Sequence, residues 1–190
     1  MTSPLKTSNL SEIEYQVGDR RYVVTCLANL LLNGGFETGI DPTLVPLGWY
    51  AGWSSWHEQV DIQVLPDLNQ GGHRFQMQAF PKGMHIRALM TSGKAELYLA
   101  GAAVSAVEMA GPCCVQIAWI DPNWRTLPWL GPGGTPVVTP RGCVLSNTQT
   151  FQFLFSEPGD ANWLALDLTA TGAVSGRCEF DRVFVFPLTH

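Results

Sequence analysis

The sequence predicts an all-β protein, an antiparallel β-sandwich preceded by an N-terminal hairpin or arm. Three observations predict it. Apolar positions at i, i+3, i+4 and i+7 never persist beyond two turns, so helical periodicity is nearly absent. Short runs rich in Val, Ile, Phe, Tyr, Trp and Thr recur instead. They are punctuated by 19 Gly and 13 Pro, the residues that turn a chain sharply.

The elements follow in order. Ile13, Tyr15 and Val17 alternate, Gly18-Asp19 interrupts, and Tyr22 and Val24 resume the alternation. Gly supplies the positive φ that a two-residue hairpin turn needs, so 12–26 reads as a hairpin. Later strands are expected at 48–53, 58–65, 74–80, 85–90, 113–120, 149–155, 163–169 and 177–186. Residues 95–109 have a helical composition, but Gly101 interrupts them and 102–107 reads equally well as strand. Pro187 is expected to end the last strand, having no N–H for a ladder. The longest stretch without a strand signal is 121–141, rich in Pro and Gly and carrying Trp124 and Trp129. Loops of that length in compact domains usually serve function or interaction.

Composition narrows the function. Hydrophobic residues make up 46% and charged residues 14% of the 190, against about 25% charged in a typical domain. A substantial core is affordable, and the surface relies on neutral polar groups or on cover by other protein. Net charge is −5 with no basic cluster longer than Arg20-Arg21, so no nucleic-acid partner is expected. No run approaches the roughly 20 apolar residues of a bilayer span, so no membrane insertion is expected. The polar first nine residues suggest a chain made in a cytoplasm without a secretory signal, with a secreted protein whose signal has been removed as the alternative. The five Cys are odd in number and contain no C-x-x-C pair, which argues against a disulfide framework or a zinc site. They are expected to be small buried hydrophobes.

The segment Asn29-Leu30-Leu31-Leu32-Asn33-Gly34-Gly35-Phe36-Glu37, followed by Pro46-Leu47-Gly48-Trp49, carries the strongest motif. With the closing run Cys178-Glu179-Phe180-Asp181-Arg182-Val183-Phe184-Val185, it resembles the jelly-roll, galactose-binding-like carbohydrate-binding modules. The resemblance covers about Asn29 to Phe186 and divides the chain into an arm and hairpin at 1–28 and a jelly roll at 29–190. It implies Phe36 and Trp49 as core anchors. It also implies that Glu37 and Asp181 lie close together near a structural calcium, the one cofactor expected; two turn-capping carboxylates is the rival reading. Such modules are non-catalytic. The same architecture serves bacteriophage virions as capsid decoration or tail accessory proteins. A stand-alone form with an arm resembles that use, with other virion subunits or a second copy as partners and host-surface glycan as a further one.

Seven Trp are the candidate binding residues. Trp49, Trp119 and Trp163 fall in strand-like contexts and are expected in the core. Trp53, Trp56, Trp124 and Trp129 fall near loops and are expected at the surface, either stacking on sugar rings or anchoring a protein interface. The four His form no H-E-x-x-H, and no G-x-S-x-G or phosphate loop occurs, so no catalysis is expected.

Overall fold

The computed structural model describes residues 4–9, 12–25, 29–37, 45–51, 61–66, 72–80, 84–92, 95–130, 136–137, 140–170 and 173–188. Among the described residues every regular element is a strand. Two antiparallel sheets stack as a jelly-roll β-sandwich, and a third, small sheet precedes them.

The small sheet has the order β1 (Pro4–Asn9), β2 (Glu12–Val17), β3 (Arg20–Thr25). Gly18 turns β2 into β3 at φ 59°, as the hairpin signal requires. Strand β1 gave no apolar alternation; it pairs with β2 through its backbone.

The five-stranded sheet contains β4 (Tyr50–Ala51), β7 (Met84–Thr91), β9 (Cys113–Ile120), β12 (Arg141–Val144) and β14 (Trp163–Ala170). Their order is β12-β9-β14-β7-β4. The seven-stranded sheet contains β5 (Asp61–Pro66), β6 (His73–Phe80), β8 (Leu97–Val107), β10 (Trp129–Leu130), β11 (Pro136–Val137), β13 (Thr148–Ser156) and β15 (Ala173–Leu188). Their order is β11-β10-β13-β8-β15-β6-β5. Residues 97–107 of the stretch with helical composition thus resolve as strand. Gly101 belongs there because a Cβ would lie 2.5 Å from the Phe151 carbonyl and 2.7 Å from the Phe184 ring. The supposed strand-free stretch holds the two-residue strands β10 and β11, which pair with each other.

Alternate residues of each strand fill the space between the sheets. Trp119, Tyr98 and Phe155 meet there in edge-to-face and stacked pairs 5.2–5.8 Å apart. Phe36 sits between Trp49 and Phe75, at 5.6 and 5.5 Å, and all three are buried as the motif implies. Each such ring stabilises the fold by roughly 1.5–3 kcal/mol through burial alone.

The opening motif works by completing the closing strand. Strand β15 pairs with β6 only as far as Phe180, leaving its edge bare beyond that point. There the Leu30 N–H donates to the Val185 carbonyl at 2.8 Å, and the Val185 N–H donates to Asn29 Oδ1 at 2.9 Å. The Val183 N–H donates to the Gly34 carbonyl at 3.1 Å. A Cβ on Gly34 would sit 2.0 Å from the Val183 carbonyl oxygen, so only glycine fits. Pro187 does not end β15, which runs to Leu188. At that end β8 is its ladder partner, and a missing N–H costs no bond on the open side.

The cysteines correct a second expectation. Cys113 is bridged to Cys178 and Cys114 to Cys143. Successive residues of a strand face opposite ways. Cys113 therefore points inward and ties β9 to β15 of the other sheet, while Cys114 points outward and ties β9 to its neighbour β12. Sequence spacing could not reveal partners in two different layers. Cys26 lies outside the described residues.

Candidate functional site

The outer face of the five-stranded sheet brings together residues from all five strands. Register places Arg141 opposite Gln116, Gln116 opposite Asp167, Asp167 opposite Arg87, and Arg87 opposite Tyr50. The inward neighbours Val115, Ile117, Leu166, Leu168, Ile86 and Ala88 are core, so the polar set faces out. The result is one polar row running the full width of the sheet.

Arg87 anchors the row. It donates Nε–H to Asp167 Oδ1 at 2.6 Å and Nη2–H to Oδ2 at 2.9 Å, a bidentate pair. Hydrogen bonding to Asp167 raises the guanidinium above its ordinary pKa, against the opposing effect of burial. Burial pushes the Tyr50 hydroxyl up, and Arg87 pulls it partly back. Both groups hold fixed protonation states at neutral pH and act as hydrogen-bonding groups. Thr169, two residues beyond Asp167, carries a buried hydroxyl with no hydrogen-bond partner among the described residues.

One end of the face is aromatic. Trp124 stacks on Trp163 with ring centroids 4.7 Å apart and planes inclined by 15°. Trp163 therefore leaves the core assigned to it from sequence: position 163 begins β14 facing outward, over a small apolar cluster of Ala118, Ile120 and Ala165. Trp124 is 64% exposed. Its loop is fixed by Asp121, whose Oδ1 accepts the N–H groups of Asn123 and Arg125 at 2.8 Å each. The Asp121 carbonyl accepts the Trp124 N–H at 3.0 Å, and Leu127 N–H donates to the Trp119 carbonyl at 2.9 Å. Trp124 is thus a held platform rather than a loose loop tip, at φ 63°.

The other residues expected at a site do not join this face. Trp129 enters β10, at the rim of the opposite sheet. Trp53 and Trp56 lie outside the described residues. Trp49 and Trp119 are buried. Glu37 accepts the His73 N–H at 3.1 Å through Oε1 and meets His73 Nδ1 at 2.8 Å through Oε2. Asp181 accepts Arg182 Nε–H at 3.1 Å. The two carboxylates proposed for calcium are engaged separately. Among the described residues no group of three or more His, Cys, Asp or Glu could hold a metal ion. No motif marked Arg87, Gln116, Arg141, Asp167 or Tyr50, because only strand register aligns them.

No family model matches the chain, and no curated protein matches its sequence. Solved structures do match. The enzymatically active domain of tailspike protein 4 from bacteriophage CBA120 superposes with TM-score 0.62 and 12% identity, over 85% of this chain and 22% of the tailspike chain. This chain therefore spans about a fifth of that tailspike's length. A CBM4 carbohydrate-binding module matches with TM-score 0.53 and 17% identity, over 83% of this chain and 99% of the module. The CBM22-1 xylan-binding domain from Paenibacillus barcinonensis Xyn10C gives 0.51 and 15%, over 82% and 92%. At these identities the likeness establishes the fold. The chain is a jelly-roll β-sandwich of the kind found in carbohydrate-binding modules.

Proposed function

We propose that the chain is a non-catalytic module that takes up glycan on the outer face of the five-stranded sheet. The observation that carries this reading is the placement of a fixed, exposed aromatic platform, Trp124 on Trp163, beside a cross-sheet row of hydrogen-bonding groups. A sugar ring has an apolar face that suits an aromatic surface and a rim of hydroxyls that suits amide, phenol and ion-pair partners. The likeness in fold to a module described as xylan-binding supports it.

A second reading concerns where the module works: on a bacteriophage particle, as a capsid decoration or tail accessory protein assembled in the host cytoplasm. Its support is the tailspike match and the small N-terminal sheet, which suits contact with other virion subunits or a second copy. The readings meet if the module touches host-surface glycan.

Affinity electrophoresis through gels containing soluble polysaccharides, together with a glycan array, tests the first reading. Retardation by at least one polysaccharide is expected, with most of it lost in Trp124→Ala while the thermal midpoint holds. Migration unchanged in every gel and an empty array overturn the proposal. Association with phage particles, or its absence, decides the second.

A further inference from the structure

The polar row ends in an unbalanced charge. Among the described residues, the outward side of the row carries Arg87 and Arg141 against one carboxylate, Asp167, which Arg87 Nε and Nη2 already engage. Among the described residues the Arg141 fork has a single weak contact, Nη2–H to Cys114 Sγ at 3.4 Å. Sulfur is a poor acceptor, so the guanidinium keeps its donors for something else. The strand that carries it is a four-residue edge strand, pinned to β9 by the Cys114–Cys143 bridge. In the exposed loop after β9, Arg125 follows Trp124; among the described residues no carboxylate pairs with its side chain either. A chain of net charge −5 thus has, among the described residues, one arginine in this row and one next to the Trp pair in sequence with no carboxylate partner.

We infer that the glycan taken up here is acidic, with uronic-acid carboxylates meeting Arg141. This rests on the glycan-binding reading above and adds the class of sugar. A guanidinium presents paired donors in a plane that matches a carboxylate, and a charge-assisted pair is roughly twice as strong as a neutral one. Trp163 and Asp167 are four residues apart on β14, and Arg141 lies two strands from Asp167. At ~3.3 Å per residue and ~4.8 Å per strand, the stacked Trp pair and Arg141 are about 16 Å apart, the reach of a short oligosaccharide.

The experiment compares polygalacturonate with its fully methyl-esterified form, which keeps the rings and removes the charge. Binding to the full chain is measured by calorimetry at low and high salt, with a neutral xylan in parallel. The acid form is expected to bind about tenfold more tightly at low salt, as one charge-assisted pair provides. The gap should narrow with salt, since this contact is solvent-exposed. Arg141→Gln should close the gap between the acid form and the ester. Arg141→Lys should restore part of the gap, lacking the planar fork. Equal binding of the two forms, or a gap that survives Arg141→Gln, overturns the inference. Xylan binding with no response to polygalacturonate also overturns it while leaving the glycan reading intact; failure to bind any glycan removes both.

Discussion

On the seven-stranded sheet, Leu97, Leu99, Leu154, Phe184, Phe186 and Leu188 form an outward apolar patch, and Tyr22 from the N-terminal sheet buries itself against it. On the five-stranded sheet, the outward row is Arg141, Gln116, Asp167, Arg87 and Tyr50, flanked by an exposed Trp. The two faces share one scaffold and one pleat, yet the first is covered by Tyr22 of the chain's own N-terminal sheet and the second presents hydrogen-bonding groups. The contrast separates structure from recognition. An apolar outer face needs a lid, and a polar one can wait for a ligand. Fold alone does not make that assignment; side chains on alternate strand positions do.

The sharpest way to break the comparison is to remove the lid. Tyr22→Ala deletes a ring that is 4% exposed and should cost about 3 kcal/mol. Dye binding to exposed apolar surface and proteolysis near residues 20–25 should rise, while glycan binding stays as it was. If glycan binding falls in step with the melting temperature, the two faces are not independent.

A smaller effect is expected on the other face. Asp167→Ala leaves Arg87 part-buried without its carboxylate; its side chain is about one-third exposed, which tempers the penalty to about 2 kcal/mol. Chemical denaturation measures that cost, and binding should be lost with it because the row loses its fixed pair. Asp167→Asn should recover much of the stability and little of the binding.

The smallest effect lies between the faces. Tyr98 is fully buried, donates to Glu157 Oε2 at 2.6 Å, and accepts the Ala95 N–H at 3.0 Å. Burial first, and Glu157 second, push its hydroxyl up to about 12. A pKa higher in the folded than the unfolded chain gives stability that is complete below pH 10 and lost as pH rises toward 12. Tyr98→Phe should cost about 1 kcal/mol at neutral pH and flatten the alkaline fall. An identical fall between pH 10 and 12 in the variant and the parent would show that the phenol does not contribute.

Much of the sandwich was legible because burial leaves a periodic trace. Strand β9 was readable to its end residues, since Cys113–Ile120 is apolar at every position but Gln116 and buried at all the rest. Strand β1 was not, because the run Lys6-Thr7-Ser8-Asn9 has no apolar alternation in sequence and its backbone pairing with β2 decides it. Strand β12 escaped notice for a related reason: four residues, Arg-Gly-Cys-Val, are too few to show a period. At the site, Trp124 was readable as an aromatic stranded among Pro and Gly. Arg87 and Asp167 were not, since 80 positions separate them and only the β7–β14 register makes them neighbours. The displacement of Trp163 from core to surface teaches the same lesson: a strand pattern gives alternation but not which phase faces in.

The adjacent cysteines have a mechanical consequence. Strand β9 is fastened through Cys113 to the sheet beneath it and through Cys114 to the strand beside it. Under a pull applied through a bound polymer, the edge strand bearing Arg141 could not peel away first, because its neighbour is buttoned in two perpendicular directions. Tension on the ligand would instead be handed across the sandwich to β15, the 16-residue strand that runs beneath the patch where Tyr22 sits.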